Sequence, residues 1–177
     1  MGYAIIGYFD NNTDKTIKSL WQGMADSEVC NYLINSANNP HIKFAMYDFI
    51  DVETVKSKLK NLAEMTPKIN VHFKSFSFYP EIDPFICIDT AVSYPILDLH
   101  SQIQKECDEY ADDNLMVNLK KGIWKPDCQL TVRIEKSKLA TAVNYLSEIQ
   151  LPFDGKLGRI GLIEFHPAKQ LFSYELL

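Results

Sequence analysis

Arginine is scarce in this chain: of 18 basic residues only Arg133 and Arg159 are arginines. Arginine is the side chain best shaped to grip a phosphate with two parallel hydrogen bonds. Its scarcity, with a net charge of −5, argues against an extended RNA- or DNA-binding surface but leaves room for a small local phosphate pocket. Long apolar runs are also missing. The longest, such as Tyr3–Phe9, are strand-sized and fall well short of the roughly 18–20 residues of a membrane span, so no membrane partner is expected. The N-terminus has no basic stretch leading into an apolar one, so no secretory leader is expected. Ile6 stands where a myristoylation signal starting at Gly2 needs Ser or Thr. The four cysteines, Cys30, Cys87, Cys107 and Cys128, make no C-x-x-C pair. Zinc and redox motifs are therefore lacking, and buried free thiols in a reducing, cytoplasmic compartment are expected, with no metal or cofactor. Nothing bears on oligomeric state.

The 177 residues are 46% hydrophobic and 23% charged, the composition of one globular domain with a full core. Tyr3–Phe9 is apolar throughout, which predicts a strand covered on both faces. Asn12 and Thr13 offer N-cap chemistry for a helix towards Met24, and Ser27 for a second through Leu33. His41–Phe49 reads as a strand. Asp51–Met65 reads as a helix with Val52, Val55, Leu59 and Leu62 on one stripe. Strands follow at Ile69–Phe78 and Phe85–Val92, and a helix at about Ile96–Ala111 with His100 on its apolar face. Asp127–Ile134 reads as a strand and Lys136–Ile149 as a helix with Leu139, Ala142, Val143 and Leu146 inward. Arg159–Phe165 and Leu171–Leu176 close the chain. The segment Asp112–Ile123 reads as loop.

Two units in this order repeat one another. Asn39-Pro40-His41-Ile42-Lys43 opens a strand–helix–strand unit ending at Phe78-Tyr79-Pro80. Lys125-Pro126-Asp127-Cys128-Gln129 opens another, ending at Phe165-His166-Pro167. The expectation is a single α+β domain of two pseudo-symmetric lobes, each a mainly antiparallel sheet with helices on its outer face, around a central cleft. Alternation sorts the side chains. His41, Lys43, Ala45 and Tyr47 share one face against Ile42, Phe44 and Met46. Asp127, Gln129, Thr131 and Arg133 share one against Cys128, Leu130, Val132 and Ile134. If the polar faces meet, His41 and Lys43 look across at Asp127 and Gln129.

Pro40-His41-Ile42-Lys43 and Pro126-Asp127-Cys128-Gln129 resemble the paired motifs of the 2H phosphoesterase superfamily, which includes 2′-5′ RNA ligase-like proteins and cyclic nucleotide phosphodiesterases. Phe76–Pro80, Phe85–Ser93 and Leu99–Ile103 are similar to that family's intervening strand, strand and helix, so the resemblance spans nearly the whole chain. It implies two histidines as general base and general acid on a 2′,3′-cyclic phosphate or 2′-5′ phosphodiester, hydroxyl residues holding the phosphoryl oxygens, and no metal. Histidine suits both roles because it titrates near neutrality.

Three of the four motif positions depart from that pattern. His41 is kept. Lys43 and Gln129 replace hydroxyls, and both still donate hydrogen bonds. Asp127 replaces the second histidine. With an ordinary pKa of about 3.9 it is ionised at pH 7 and has no proton to give, unless burial raises it. An ion pair between Lys43 and Asp127 is expected. The site residues read from the sequence are thus His41, catalytic where chemistry remains, with Lys43, Asp127 and Gln129 binding the ligand. That ligand is a nucleotide or RNA-end phosphate. One alternative is an active phosphodiesterase using His41 with an atypical acid. Another is an interaction protein whose cleft is vestigial. His100 reads as a packing residue, His72 as a solvated strand residue and His166 as an exposed turn residue. Phe73, Phe76, Phe78, Tyr79 and Phe85 read as core, with base stacking as the rival role, and Lys120, Lys121 and Lys125 as a solvated loop.

Overall fold

Strand pairing in the computed structural model, which describes residues 2–112, 117–165 and 168–177, runs in a circuit. The strands are β1 (Gly2–Phe9), β2 (His41–Tyr47), β3 (Ile69–Tyr79), β4 (Phe85–Thr90), β5 (Asp127–Gln129), β6 (Phe153–Phe165) and β7 (Lys169–Glu175). Every pairing is antiparallel: β1 with β2 and β6, β2 with β5, β5 with β4, β4 with β3, and β3 with β6. β7 adds to β6 beside β1. The helices are α1 (Asn11–Asp26), the single turn α2 (Tyr32–Asn35), α3 (Val52–Met65), α4 (Tyr94–Cys107) and α5 (Leu139–Ser147). None is long and apolar enough to cross a membrane among the described residues.

The fold is α+β with two pseudo-symmetric lobes. The run β1-α1-β2-α3-β3 has its counterpart in β4-α4-β5-α5-β6. Exchanging the two turns the β1–β2 pair into β4–β5 and β1–β6 into β4–β3, and leaves β2–β5 and β3–β6 in place. One face of the strands carries Ile5, Ile42, Phe44, Phe73, Ile88 and Leu162. These pack under Ile17 and Leu20 of α1, Leu59 of α3 and Leu99 and Ile103 of α4. The helices are amphipathic for this purpose: α1 buries Thr13, Ile17, Leu20, Trp21 and Met24, at helical spacing. The opposite strand face lines the cleft. Its apolar part is a separate small cluster of Ala4, Ile6, Tyr8 and Ile163.

Several local details differ from the pattern in the sequence. Asp10, rather than Asn12 or Thr13, caps α1, its carboxylate accepting from the Thr13 amide at 2.9 Å. Ser27 is the C-cap of α1 and starts no helix. α4 begins at Tyr94, two residues early, with Pro95 in its first turn, where a missing amide costs nothing. In α5, Val143 points outward at 61% exposure; the buried positions of that helix are Ala142 and Leu146. Within Asp112–Ile123, Val117–Leu119 forms a 3-10 turn, and residues 113–116 lie outside the described residues, as do His166 and Pro167. The free thiols Cys87, Cys107 and Cys128 are buried and Cys30 is half-buried.

Candidate functional site

β2 and β5 meet at a single register pair, Ile42 opposite Cys128. Antiparallel geometry then sets His41 across from Gln129 and Lys43 across from Asp127, all four on the cleft face. The strands end their alternation soon after. A bulge in the β1–β2 pair places Lys43 opposite Ile6 and Ala45 opposite Ile5, so one extra residue shifts the parity. Phe44 and Ala45 are both fully buried, Tyr47 goes to the core with them, and Met46, not Ala45 or Tyr47, continues the cleft face. β5 is only three residues long. Beyond it Thr131 is buried, its hydroxyl accepting from the Ile86 amide at 2.8 Å, and Arg133 takes a left-handed φ of 54°. Thr131 and Arg133 therefore do not extend the polar face as strand alternation predicts. Two tryptophans, the only two in the chain, brace the equivalent positions: Trp124 Nε1 donates to the Lys43 carbonyl at 2.8 Å and Trp21 Nε1 to the Gln129 carbonyl at 2.9 Å. Each indole fills a backbone acceptor that the short ladders leave open.

On one side of the cleft lies a hollow of about 250 Å³ lined by His41, Lys43, Gln129, Met46, Ile163 and Phe165, among others. His41 Nδ1 is 2.6 Å from the Asn39 carbonyl. A carbonyl only accepts, so the proton sits on Nδ1 and Nε2 keeps its lone pair. Lys18 in turn donates to the Asn39 side chain at 2.8 Å. Burial, with help from the Lys43 charge and against the Asn39 hydrogen bond, pushes the His41 pKa down to about 4, so the imidazole is neutral at pH 7. Tyr8 stands beside it edge to face, ring centroids 6.3 Å apart, and Arg159 lies 5.0 Å from the Tyr8 ring.

The other side holds a second hollow, also about 250 Å³, lined by Lys43, Asp127, Tyr79, Phe85, Lys125, Asn118 and Ile123 with Leu119. Lys43 is shared by both hollows. Here the side chains bind one another. The Tyr79 hydroxyl donates to Asp127 Oδ2 at 2.5 Å. Asp89, 7% exposed, accepts from Ser75 at 3.0 Å, Ser77 at 2.5 Å and the Lys125 ammonium at 2.7 Å. Lys125 also donates to Ser77 at 2.6 Å and lies 5.3 Å from the Tyr79 ring. Burial raises the Asp127 pKa, against the Tyr79 hydrogen bond and the Lys43 and Lys125 charges, while Asp89 pushes in the same direction as burial. The expected Lys43–Asp127 ion pair is absent among the described residues; Tyr79 takes that carboxylate instead.

Sequence reasoning misses Asp89. Its signal is weak: an acid inside an apolar strand, at even spacing from Cys87. Lys125, a solvated loop residue by sequence, is tied into this network. The aromatic group divides: Phe73 is core, stacked on Phe153 at 4.7 Å, whereas Tyr79 and Phe85 stack on each other at 4.6 Å and 10° along the cleft. His100 packs as expected, 2% exposed and stacked on Trp124 at 4.1 Å. His72 is exposed beside Asp154, Nδ1 to Oδ1 at 2.5 Å. Two larger grooves, about 640 and 770 Å³, follow α3 and α4, but neither includes a residue of β2 or β5. Among the described residues no cluster of His, Cys, Asp or Glu is built to hold a metal ion.

No family model and no curated relative matches the chain. Solved structures do match it, end to end. TT0787 of Thermus thermophilus superposes with a TM-score of 0.65 at 11% identity, over 99% of this chain and 98% of that one. Escherichia coli LigT, crystallised with 3′-AMP, gives 0.64 at 10% identity, over 98% and 97%. Usb1 of Kluyveromyces marxianus gives 0.51 at 12% identity, over 99% and 96%. LigT has also been crystallised with ATP and with phosphate.

Proposed function

We propose, for a chain that has the 2H phosphoesterase fold, that the cleft binds the phosphate of a nucleotide or an RNA end and that standard cyclic phosphodiesterase turnover is weak or absent. The observation that carries this is the β2–β5 pairing, which gathers both motif strands on one face but supplies one imidazole where two-histidine chemistry needs a base and an acid. Lys43 and the Gln129 amide are donors suited to phosphoryl oxygens. His41, neutral with Nε2 available, accepts a hydrogen bond from a ligand hydroxyl or from a monoprotonated phosphate. Asp127 accepts from a sugar hydroxyl. The crystallised complexes of LigT with 3′-AMP, ATP and phosphate support the ligand class.

Titration calorimetry with 3′-AMP and inorganic phosphate tests the reading. Lys43→Ala is expected to weaken both by roughly tenfold or more, the worth of a charge-assisted hydrogen bond. Hydrolysis of 2′,3′-cyclic nucleotides is expected to stay near background. A second reading, an active phosphodiesterase with protonated Asp127 as acid, draws on the upward pKa shift of that carboxyl. Turnover abolished by His41→Ala and by Asp127→Asn would establish it. Absence of any phosphate or nucleotide binding would leave an interaction protein with a vestigial cleft.

A further inference from the structure

We infer that the furrow between α3 and α4, apart from the cleft, binds an amphipathic carboxylate, its acyl chain along an apolar wall and its head at Lys68 and Lys121. The lobe exchange that sets α5 for α3 and α1 for α4 gives this furrow a counterpart. There the chain fills the space itself. Tyr145 of α5 lies so close over Gly23 of α1 that a Cβ at the glycine would collide with the ring. Between α3 and α4 the facing side chains leave hollows of about 640 and 770 Å³, which share Met65 and Gln102 and so form one trough. Met65 and Tyr94 stand along it 71% and 90% exposed.

Chemistry changes along the trough. The smaller hollow is lined mainly by polar side chains, and Lys58 there is already paired with Glu106 at 3.1 Å. The larger one is apolar. Met65, Pro67, Tyr94, Pro95 and Leu97 line it over the buried Ile69 and Leu99. Apolar surface gathered in one concave place gains by being covered, and about 770 Å³ lies within the roughly 300–1,000 Å³ of small-ligand pockets. Charge selects the head group. Lys68 and Lys121 line this hollow with a single carboxylate, Asp98, which accepts from the Gln102 amide at 2.5 Å. Lys121 donates to the Ser101 hydroxyl at 3.1 Å. The Lys68 ammonium has no ion pair or hydrogen bond among the described residues. On a chain of net charge −5 this is a local reversal of sign. Ammoniums beside an aliphatic wall match a carboxylate on a hydrocarbon chain. The head takes charge-assisted hydrogen bonds, the chain gains by burial, and the flexible Met65 side chain adapts to it. A free phosphate has no part for the wall, and a neutral hydrocarbon has none for the lysines.

NMR titration of the full chain tests this with laurate below its micelle concentration, a neutral glucamide carrying the same acyl chain, and acetate. Laurate is expected to shift the backbone amides of Met65, Lys68, Leu97 and Lys121 and to bind tighter than the glucamide, with acetate weakest. Lys68→Gln with Lys121→Gln is expected to weaken laurate by roughly tenfold, the worth of a charge-assisted hydrogen bond, and to leave the glucamide unchanged. Leu97→Glu, at a position 39% exposed, is expected to weaken laurate and the glucamide alike. The inference is overturned if laurate does not bind, if its shifts fall at His41 and Lys43 instead, or if the glucamide binds as tightly. It is equally overturned if the double lysine variant keeps the affinity for laurate. Light scattering adds one further outcome: a dimer whose interface covers Met65, Tyr94 and Leu97 would overturn it, because a second copy would then occupy the furrow.

Discussion

On one side of the cleft His41 is held by a single hydrogen bond to a backbone carbonyl; on the other, Asp127, Tyr79, Lys125, Asp89, Ser75 and Ser77 hold one another. The backbones of the two sides are alike. The two motif strands meet at their second residues, Ile42 and Cys128, and each has its third carbonyl capped by an indole. The side chains are not alike. A neutral base with an open nitrogen faces an acid locked by a phenol and flanked by a second, buried acid. Two like backbones thus carry unlike side-chain chemistry, since the strand register, not the side-chain identity, places the groups.

The strongest way to break this contrast is to make the halves chemically equal. Asp127→His with Gln129→Thr gives the second side an imidazole and a hydroxyl at the positions equivalent to His41 and Lys43. If the missing acid is what separates the halves, kcat/KM on 2′,3′-cyclic AMP rises by about a hundredfold or more, the usual contribution of a positioned general acid. Steady-state kinetics with product identification measures this. No gain would mean that the surrounding Tyr79–Lys125–Asp89 network, and not the residue at 127, sets the limit.

Stability separates the halves next. Asp89 and Tyr8 sit at equivalent places, each paired with the first motif residue of its side, Asp127 and His41. Asp89 is a buried carboxylate with three donors, so Asp89→Ala is expected to cost about 2–3 kcal/mol, held down because Lys125 is 40% exposed and regains water. Tyr8 is 3% exposed, and its hydroxyl makes no hydrogen bond among the described residues. Burial pushes that phenol up to about 12, against the Arg159 charge, and Tyr8→Phe is expected to cost less than about 1 kcal/mol. Urea unfolding of both variants gives the difference. Equal losses would erase the asymmetry.

What can be read in the sequence follows the same division. The element order, the α3 stripe of Val55, Leu59 and Leu62, and the two polar strand openings at His41 and Asp127 are carried by local periodicity, which a linear reading detects. Three features escape it because they are set by tertiary contacts. The bulge after Lys43 changes parity through its register with β1. The end of β5 is fixed by the Thr131 hydroxyl on the β4 backbone. The partner of Asp127 is chosen by β3, which arrives from 48 residues away in sequence. Asp89 escapes for a related reason. Alone in an apolar strand it resembles an error of pattern, and only Ser75, Ser77 and Lys125 converging on it make its burial tolerable.

The two sides should also differ in the sign of their response to pH. The folded-state pKa of His41 is about 4, below its ordinary 6.5, so between those values the unfolded chain binds more protons and stability falls as pH drops. His100, buried and likewise lowered, adds to that fall. Asp127 is raised above its ordinary 3.8, so the folded chain holds that proton more tightly and acidification through its raised pKa returns stability. Urea unfolding at pH 7 and at about pH 4.5 separates the contributions. The loss on acidification is expected to shrink in His41→Gln, where the His100 share and the opposing Asp127 gain remain, and to grow in Asp127→Asn, where the opposing gain is gone. If both variants lose as much as the wild type, then neither side chain is desolvated as its surroundings require, and the contrast between an open neutral base and a locked acid fails at its electrostatic root.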